Sequence, residues 1–347
     1  MTTIKAINSF RKWITHSLTK NLGSNLSTEA YLINEENIKS ILVVRPNHRL
    51  GNLLLITPLL QELENTFPNA KVDVFLKGNL GQIILKEYQN IDQIISLPKN
   101  HFQKLPNYIF TWFKLRQKRY DLVINAVPYS SSGRLSTKLS RADYKLFGHE
   151  EYNYQTINNN YEHIAKFPVC CLRHILSKHQ ISSAEVPTLS LKLTPQEIAS
   201  GKKILKEVTN SAKQTIAIFT YATGEKCYSK TWWKEFYANL KAAFPEYFIL
   251  EILPKENISQ IDFIAPTYYS KNLREICSVL ANTSVFIGAD SGMMHLAVAS
   301  KTSVIGLFSV TDPHKYQPYG NQNRALNPSE ISIKKSIQYI HNVLNQK

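Results

Sequence analysis

Near the C-terminal end of the chain, Asp290, Ser291, Gly292 and His295 combine the residue types that hold anions. Asp290 or Ser291 caps a helix start, Gly292 lets a ligand approach the backbone, and His295 lies one turn into the helix, on the face toward the loop. The free N–H groups and the positive end of the dipole make such a helix start an anion site. The loop chemistry alone leaves a second interpretation open, in which the two polar residues only cap the helix and His295 packs against the next strand.

The elements that position these residues are read from the flanking sequence. Thr283–Pro313 contains a short β-branched strand at Ser284–Gly288, the polar turn, an apolar helix and a buried strand at Ser303–Phe308. The tripeptide Thr311-Asp312-Pro313 then forms a second polar loop. The stretch therefore predicts one βαβ unit with its polar loops at the same edge of a sheet.

The N-terminal half shows the same alternation. Ile41–Arg45 reads as a buried strand, residues 46–52 as a glycine-containing loop before a leucine-rich helix, and Val72–Leu76 as the next strand. This order is typical of a doubly wound α/β domain with a parallel sheet, whose ligand crevice lies at the carboxyl ends of the strands.

A second domain is predicted after the aperiodic segment Ile181–Thr194. Thr194 and Pro195 suit the N-cap and first position of a helix, and Thr215–Phe219 reads as the first strand of this domain. Two such domains facing each other would form a cleft between their strand ends. The last element is a helix at Ser329–Leu344, which we expect to cross back onto the first domain.

Composition narrows the class of protein. A chain of 347 residues suggests about two domains, and its net charge of +15 points to an anionic partner. No apolar run approaches the ~20 residues that span a bilayer, and no secretory signal peptide is evident, so a cytoplasmic location is expected. The spacing of the four cysteines does not match a metal site. The sequence also contains no helix-turn-helix, RNP, Walker A, GxGxxG or Asp-x-Asp pattern. We expect no nucleic-acid partner, no metal and buried free thiols.

Residues 1–22 form a basic amphipathic pattern, and Asn21–Asn37 reads as a polar linker. The apolar residues Ile7, Phe10, Ile14 and Leu18 recur at helical spacing. Such a helix either lies on an anionic membrane surface or docks on the protein's own surface, and the pattern does not choose between the two.

Two motifs resemble glycosyltransferase family 9, the bacterial heptosyltransferases. Asp290-Ser291-Gly292-x-x-His295-Leu-Ala, followed by a strand and Phe-x-x-Thr-Asp-Pro, is similar to the family's C-terminal signature. Leu50-Gly51-Asn52 with Thr57-Pro58 is similar to its first loop and helix. The resemblance implies a GT-B fold, with two Rossmann-like doubly wound parallel-sheet domains about a central cleft. It also implies that Asp290, Ser291, Gly292 and His295 bind a nucleotide-sugar donor, usually ADP-heptose.

Further donor-binding residues follow from the same resemblance. Lys230, just before Thr231-Trp232, fits the family's phosphate-binding lysine, with Lys226 as its competitor. Thr220 or Thr223 fits the hydroxyl contact. Glu256, with Glu251 as a second choice, fits an acid that binds the ribose or base.

The acceptor side departs from the family pattern. The residue after Gly51 is an acid in the family and is thought to deprotonate the acceptor, whereas Asn52 cannot take a proton in that way. We therefore predict that Asn52 orients the acceptor hydroxyl and that His48 replaces the base, since the imidazole pKa of about 6.5 suits this task. Asp143 is a weaker candidate for the base.

The remaining acceptor-binding candidates come from position in the chain. Gly51 belongs to the same loop as Asn52, and Ser132 and Arg134 lie in a polar basic loop and helix start after a strand. A solvated helix face is the alternative for that segment.

These observations lead to one hypothesis and two alternatives. The chain is predicted to be a metal-independent, inverting glycosyltransferase that needs no cofactor besides its nucleotide-sugar donor. It would move a heptose onto a lipopolysaccharide-core or other anionic surface glycan at the cytoplasmic face of the inner membrane. A non-catalytic nucleotide-sugar or glycan-binding relative would explain Asn52, and an epimerase would share the two-domain plan. The predicted segments are 1–37, an acceptor domain 38–185, a donor domain 186–328 and the helix 329–347.

Overall fold

The computed structural model describes Ser17 and residues 35–99, 105–128, 130–148, 161–176 and 184–346. Apart from Ser17, the predicted basic helix of residues 1–22 lies outside these ranges, as do residues 21–34. Contacts between Cα atoms group the chain into two compact units, residues 1–48 with 58–187, and residues 49–57 with 188–347. The helix start that bears Gly51 and Asn52 therefore belongs by its contacts to the second unit, although it was assigned to the first domain.

The first unit is built on a five-stranded parallel sheet in the order β3-β2-β1-β4-β5. Its strands are β1 (Ser40–Val44), β2 (Lys71–Lys77), β3 (Ile91–Leu97), β4 (Arg119–Asn125) and β5 (Arg141–Leu146). The helices between and after them are α2 (Thr57–Thr66), α3 (Leu80–Ile84), α4 (Leu105–Lys114), α5 (Ser131–Leu139) and α6 (Phe167–Leu176), while α1 (Leu50–Leu54) groups with the second unit. The strand order reverses between β1 and β4, so the loops that follow these two strands flank a topological switch point.

The first sheet is continuous and apolar at its centre. Four of the five residues of β1 are buried, as expected of a parallel strand covered on both faces. One buried carboxylate interrupts the apolar pattern, because Asp73 accepts hydrogen bonds from the Tyr120 hydroxyl at 2.8 Å and from Lys118 at 3.0 Å. Burial and the neighbouring Asp73 raise the pKa of Tyr120 far above its ordinary value, so the phenol remains a donor.

The second unit has a six-stranded parallel sheet in the order β11-β10-β9-β6-β7-β8. Its strands are β6 (Thr215–Phe219), β7 (Phe248–Ile252), β8 (Thr267–Tyr268), β9 (Val285–Ala289), β10 (Ser303–Leu307) and β11 (Arg324–Leu326). Its helices are α7 (Pro195–Thr209), α8 (Lys230–Ala243), α9 (Leu273–Leu280), α10 (Gly292–Ala299), α11 (Pro313–Tyr316) and α12 (Ile333–Asn345). This is the strand order of a dinucleotide-binding Rossmann fold, with the switch point between β6 and β9.

Helix α7 begins where the sequence predicts. The Thr194 hydroxyl accepts the Glu197 N–H at 3.2 Å, and the Glu197 carboxylate accepts the Thr194 N–H at 2.9 Å, which completes a capping box with Pro195 at the first position. The same carboxylate holds Arg274 of α9 at 2.5 Å and 2.6 Å. The pair joins α7 to α9 at the base of the second unit.

Aromatic residues on α8 fill one side of the second sheet. Trp233 and Phe236 are fully buried, and Trp232 stacks on Phe236 with ring centroids 5.0 Å apart. Helix α12 packs into the same core through Ile340 and Val343. The prediction that this last helix crosses back onto the first domain is therefore wrong, since these contacts lie within the second unit.

The predicted fold class of two doubly wound parallel α/β domains is confirmed. The short strands β8 and β11 and the strands β3 and β5 were not predicted, because their sequences are polar or too short for a clear period-two pattern. In particular, Arg141 begins a strand, although the sequence placed it at the end of a basic loop and helix. Among the described residues, no helix is both long and apolar enough to cross a membrane.

Candidate functional site

Three polar loops meet at the carboxyl edge of the second sheet. The loop after β6 runs from Thr220 to Ser229, the loop after β9 holds Asp290 and Ser291, and the loop after β10 holds Ser309. Their strands β6, β9 and β10 are neighbours in the sheet, so the loops leave the same edge side by side. This edge includes the switch point, which is where open α/β sheets bind ligands.

Asp290, Lys226 and His295 form the central cluster of this edge. Lys226 Nζ lies 2.5 Å from Asp290 Oδ2, and His295 Nε2 lies 4.0 Å from Asp290 Oδ1. Asp290 is 6 % exposed and His295 is 5 % exposed. The carboxylate thus lies between a lysine from the β6 loop and a histidine from helix α10, and the predicted loop residues do come together.

Helix α10 starts beside this cluster with a capped first turn. The Ser291 side chain accepts the Met294 N–H at 3.3 Å, so Ser291 is the N-cap. Capping uses one acceptor and leaves the earliest N–H groups of the helix without a helical partner. Both sequence interpretations of this loop are therefore compatible with the structure, because the cap and the anion-binding geometry coexist.

His295 is held neutral by its surroundings. Burial lowers the pKa of its imidazole to about 4, the Asp290 carboxylate opposes that shift, and the Lys226 ammonium adds to it. A neutral imidazole donates one hydrogen bond and accepts another. At neutral pH the cluster therefore carries one cation and one anion, and the histidine acts as a polar neighbour of both.

The start of α1 packs closely against the start of α10. A Cβ placed on Gly51 would lie 2.7 Å from His295 Cδ2, and one on Gly292 would lie 3.2 Å from the Gly51 nitrogen and from Leu50 Cβ. Gly292 therefore admits a neighbouring helix, whereas the sequence suggested that it admits a ligand. Gly51, predicted to bind the acceptor, is buried here and covers the imidazole.

Thr57 anchors the C-terminal end of α1, the helix whose start contacts α10. Its hydroxyl donates to the Leu54 carbonyl at 2.7 Å and accepts the Ser190 N–H at 3.1 Å. The threonine of the Thr57-Pro58 motif thus fastens the end of α1 to the segment that enters the second unit.

Lys230 and Thr220, two predicted donor-binding residues, are engaged elsewhere. Lys230, at the start of α8, lies 2.5 Å from Asp262, which also pairs with Lys234 at 2.7 Å. Thr220 is buried, and its hydroxyl donates to Glu251 at 2.6 Å and accepts the Gln260 N–H at 3.0 Å. The structure therefore brings Lys226 to Asp290, and the Thr220 hydroxyl supports the fold of the β7 loop.

The other predicted donor-side residues differ in exposure. Thr223 is exposed and precedes a single 3-10 turn, Gly224–Lys226, without capping it through its side chain. Glu256 lies in the loop after β7 and pairs only loosely with the adjacent Lys255, at 3.6 Å. Glu251 is fully buried, accepts from Thr220 and Ser259, and has its pKa raised by burial against the effect of those hydrogen bonds.

Sequence reasoning missed Tyr228 as a member of this edge. Its pKa is raised mainly by burial, and the charge of Asp290 adds to this shift. Its ring stacks on Trp232 with centroids 4.6 Å apart. The sequence signal for Tyr228 was its place in a polar loop that carries several candidate residues.

The acceptor-side candidates occupy several elements. His48 is exposed in the loop after β1, and Asn52 is half-buried in α1. Ser132 is exposed in the first turn of α5, whereas Arg134 is 2 % exposed, so it is not part of a solvated helix face.

Asp143, the weaker candidate for the base, lies in β5 and pairs with Arg119 at the start of β4. Both residues lie toward the amino ends of their strands. This placement removes Asp143 from the carboxyl edge, where ligands of such sheets bind.

The four cysteines are free thiols, and three of them are buried while Cys227 is half-buried. The prediction of free buried thiols is confirmed for Cys170, Cys171 and Cys277.

The first prediction concerns the protonation of His295. The unfolded chain binds its proton near pH 6.5 and the folded chain only near pH 4, so His295 contributes stability that is complete above about pH 6.5 and is lost as the pH falls toward 4. Histidine resonances followed by NMR, assigned with His295→Gln, should show an imidazole that stays neutral to below pH 5. Asp290→Asn should lower this pKa further and Lys226→Met should raise it. Shifts of the opposite sign would contradict the arrangement.

The second prediction concerns the contact between α1 and α10. Gly51→Ala places a methyl group against a buried imidazole and should lower the free energy of unfolding by about 1–3 kcal/mol, as overpacking does. Urea denaturation followed by tryptophan fluorescence measures this change. Gly292→Ala is the matched comparison, because its Cβ meets its neighbours at 3.2 Å and should cost less. Equal stability of Gly51→Ala and the wild type would show that the helices are not in contact.

Comparison with known proteins identifies the family that this chain resembles. The family model described as "Glycosyltransferase family 9 (heptosyltransferase)" matches residues 265–341, which include β9, α10 and β10. Lipopolysaccharide heptosyltransferase 3 of Escherichia coli K12 is 24% identical over 295 residues, covering 78% of this chain and 82% of that protein. Lipooligosaccharide heptosyltransferase 2 of Haemophilus influenzae is 22% identical over 304 residues, covering 82% and 87%.

Solved structures share the fold. A family 9 glycosyltransferase from Veillonella parvula superposes with a TM-score of 0.71 at 15% identity, covering 90% of this chain and 99% of that one. The E. coli heptosyltransferase WaaC determined with ADP gives 0.62 at 18% identity, covering 88% and 99%. The family model and the curated relatives confirm the predicted resemblance to glycosyltransferase family 9, and the chain is a glycosyltransferase.

Proposed function

We propose that this glycosyltransferase moves a heptose from ADP-heptose onto the core of a lipopolysaccharide or a similar surface glycan. The observation that carries the proposal is the Lys226–Asp290–His295 cluster at the start of α10, placed at the switch point of the second sheet. Support for the donor comes from the E. coli heptosyltransferase WaaC, which has been determined with ADP and with ADP-2-deoxy-2-fluoro heptose. Support for the acceptor comes from the names of the E. coli and H. influenzae relatives.

The donor diphosphate would bind at the start of α10. The N–H groups of the first turn and the positive end of the helix dipole favour phosphate oxygens there. Lys226 is close enough to exchange its contact with Asp290 for one with a phosphate, because its side chain is 37% exposed while Asp290 is buried. His295, neutral before binding, would donate a hydrogen bond to the diphosphate or to the sugar.

The transfer itself is a displacement at the anomeric carbon. The acceptor oxygen forms a bond to this carbon, the bond from the carbon to the diphosphate oxygen breaks, and ADP leaves with the electron pair. A single displacement inverts the configuration. In this proposal the negative charge that develops on ADP is stabilised without a metal, by the helix start and by lysine.

The proton of the acceptor hydroxyl needs a base. We assign this role to His48, which lies exposed in the loop after β1, and we assign Asn52 the task of orienting the hydroxyl. Ser132 adds a hydroxyl contact to the acceptor. In the same proposal the enzyme works in the cytoplasm, at the inner face of the membrane that holds its glycolipid acceptor.

A non-catalytic relative is the second candidate function, and Asn52 is the observation that favours it. Asn52 stands where the family pattern has an acid, and an amide does not accept a proton at neutral pH. Such a protein would bind the nucleotide-sugar and release neither ADP nor a glycosylated product.

The third prediction tests the donor site. Lys226→Met should weaken ADP-heptose binding roughly tenfold, since a charge-assisted hydrogen bond to a phosphate contributes about 1.5–3 kcal/mol at most. Isothermal titration calorimetry with ADP-heptose and with ADP measures the loss. Lys230→Met is the matched comparison, because it removes an identical side chain whose present partner is the exposed Asp262.

If Lys230→Met weakens ADP-heptose binding more than Lys226→Met does, the phosphate contact belongs to Lys230, as the family resemblance implied. Unchanged affinity in both variants would contradict the placement of the donor at this edge.

The fourth prediction tests catalysis. With ADP-heptose and a heptose-deficient lipopolysaccharide acceptor, the wild type should release ADP and form product, and His48→Ala should lower kcat by roughly 100-fold or more, the usual contribution of a general base. Asn52→Asp should raise kcat if it restores the missing acid. Donor binding by calorimetry without ADP release from any acceptor would instead favour the binding protein, and conversion of ADP-heptose without acceptor would favour an epimerase.

A further inference from the structure

A cationic cleft lies at the amino edge of the first sheet, the end opposite to the β1 and β4 loops. Its volume is about 480 Å³, and it is lined by the turn before β4, the start of β4, the end of α5 and the start of β5. The lining contains five cationic side chains, those of Arg116, Arg119, Lys138, Arg141 and Lys145.

Most of this positive charge is not neutralised. Arg119 pairs with Asp143, and Lys145 donates to the carbonyls of Lys138 at 3.2 Å and Ser140 at 2.6 Å. In the part of the chain that the structure describes, Arg116, Lys138 and Arg141 form no ion pair with a carboxylate. Among the described residues, Arg119 is thus the one cation of the five that pairs with a carboxylate.

The fold brings several of these cationic side chains close to one another. Arg119 and Arg141 are register partners in the adjacent strands β4 and β5, so these two cationic side chains leave the sheet from neighbouring positions. Burial lowers the pKa of Lys145, and the charge of Arg116 lowers it further. A bound anion would relieve this repulsion, since like charges at short range destabilise one another.

An exposed aromatic pair lies on α4, the helix that precedes the turn of Arg116. Phe110 and Phe113 on α4 are 56% and 62% exposed, and their i, i+3 spacing puts them on one face of the helix. Trp112 faces the other way, against Phe75, with ring centroids 5.6 Å apart. Phe113 precedes Arg116 by three residues, and its carbonyl accepts the Arg116 N–H at 2.9 Å, so the aromatic pair lies on the segment that leads into the turn of Arg116.

We propose that the cleft and the Phe110–Phe113 face together form a membrane-docking surface, in which anionic phospholipid headgroups occupy the cleft and the two phenyl rings enter the interfacial layer. Basic side chains beside exposed aromatic rings match the charge and polarity of that layer. The small volume of the cleft suits a single phosphate headgroup, whereas a nucleic-acid duplex needs a longer binding surface on the protein. The surface is separate from the proposed donor site, and its test requires neither donor nor acceptor.

Charge on an edge strand has a second known effect, since it hinders pairing with another chain. Arg141 and Lys145 lie on the edge strand β5, but Arg116 lies in a turn and Lys138 at a helix end. Protection of the edge therefore explains only part of the cluster.

The fifth prediction uses sedimentation of the full chain with vesicles of phosphatidylcholine alone or mixed with phosphatidylglycerol. The triple variant Arg116→Gln, Lys138→Gln and Arg141→Gln should lose roughly tenfold to a hundredfold of its partitioning onto the anionic vesicles, since each basic residue near such a surface strengthens binding roughly fivefold before screening. Phe110→Ser with Phe113→Ser should also lower partitioning. All five residues are exposed, so the variants are expected to fold, and a far-UV circular dichroism spectrum and a Tm that match those of the wild type check this.

The matched control is Lys202→Gln, Lys206→Gln and Lys241→Gln, which removes three charges from exposed positions of the second unit. It should partition nearly as the wild type does. Equal losses in the control and the cleft variant would show a general charge effect and overturn the proposal. Wild-type partitioning of the cleft variant, or a selective loss of its binding to single-stranded RNA with vesicle binding intact, would overturn it as well.

Discussion

The close approach of α1 to α10 is the constraint on which the candidate site depends. Gly51 leaves too little room for a side chain, because a Cβ there would lie 2.7 Å from the His295 ring. The contact seals the imidazole from water and thereby lowers its pKa. It also places the segment that bears Asn52, which is distant in sequence, beside the loop of Asp290. One glycine thus sets both the protonation of the histidine and the position of the helix start.

The same contact explains why Asp290 needs Lys226. A buried carboxylate is costly unless it is paired, and the neutral His295 at 4.0 Å does not supply a positive charge. The ammonium group from the β6 loop supplies it at 2.5 Å. An arriving diphosphate would compete for that ammonium, so donor binding and the state of Asp290 are coupled. The structure shows the β6 loop with Lys226 on the carboxylate, and the proposed donor binding would move this ammonium group to a phosphate.

The sequence was most informative where apolar periodicity and capping residues agree. It located the start of α7 with its Thr194 cap and strand β6, as well as the loop of Asp290 and Ser291. It could not show that Lys226 rather than Lys230 reaches Asp290, because one turn of loop separates them and the direction of that loop depends on tertiary contacts. Nor could it show that Thr220 is used by the buried Glu251, since a hydroxyl in a loop has the same sequence signal whether it faces a ligand or the core.

Strand β5 shows why a strand with a polar sequence is difficult to predict. Arg141, Asp143 and Lys145 alternate with less polar residues on an edge strand, and read alone they resemble a solvated loop. In the folded unit they align with the start of β4 and concentrate positive charge at the amino edge, while ligand-binding loops occupy the carboxyl edge. The length of the strands separates the two edges of a parallel sheet, so each edge carries a different set of functional side chains. The two ends of the first sheet are thus separate surfaces.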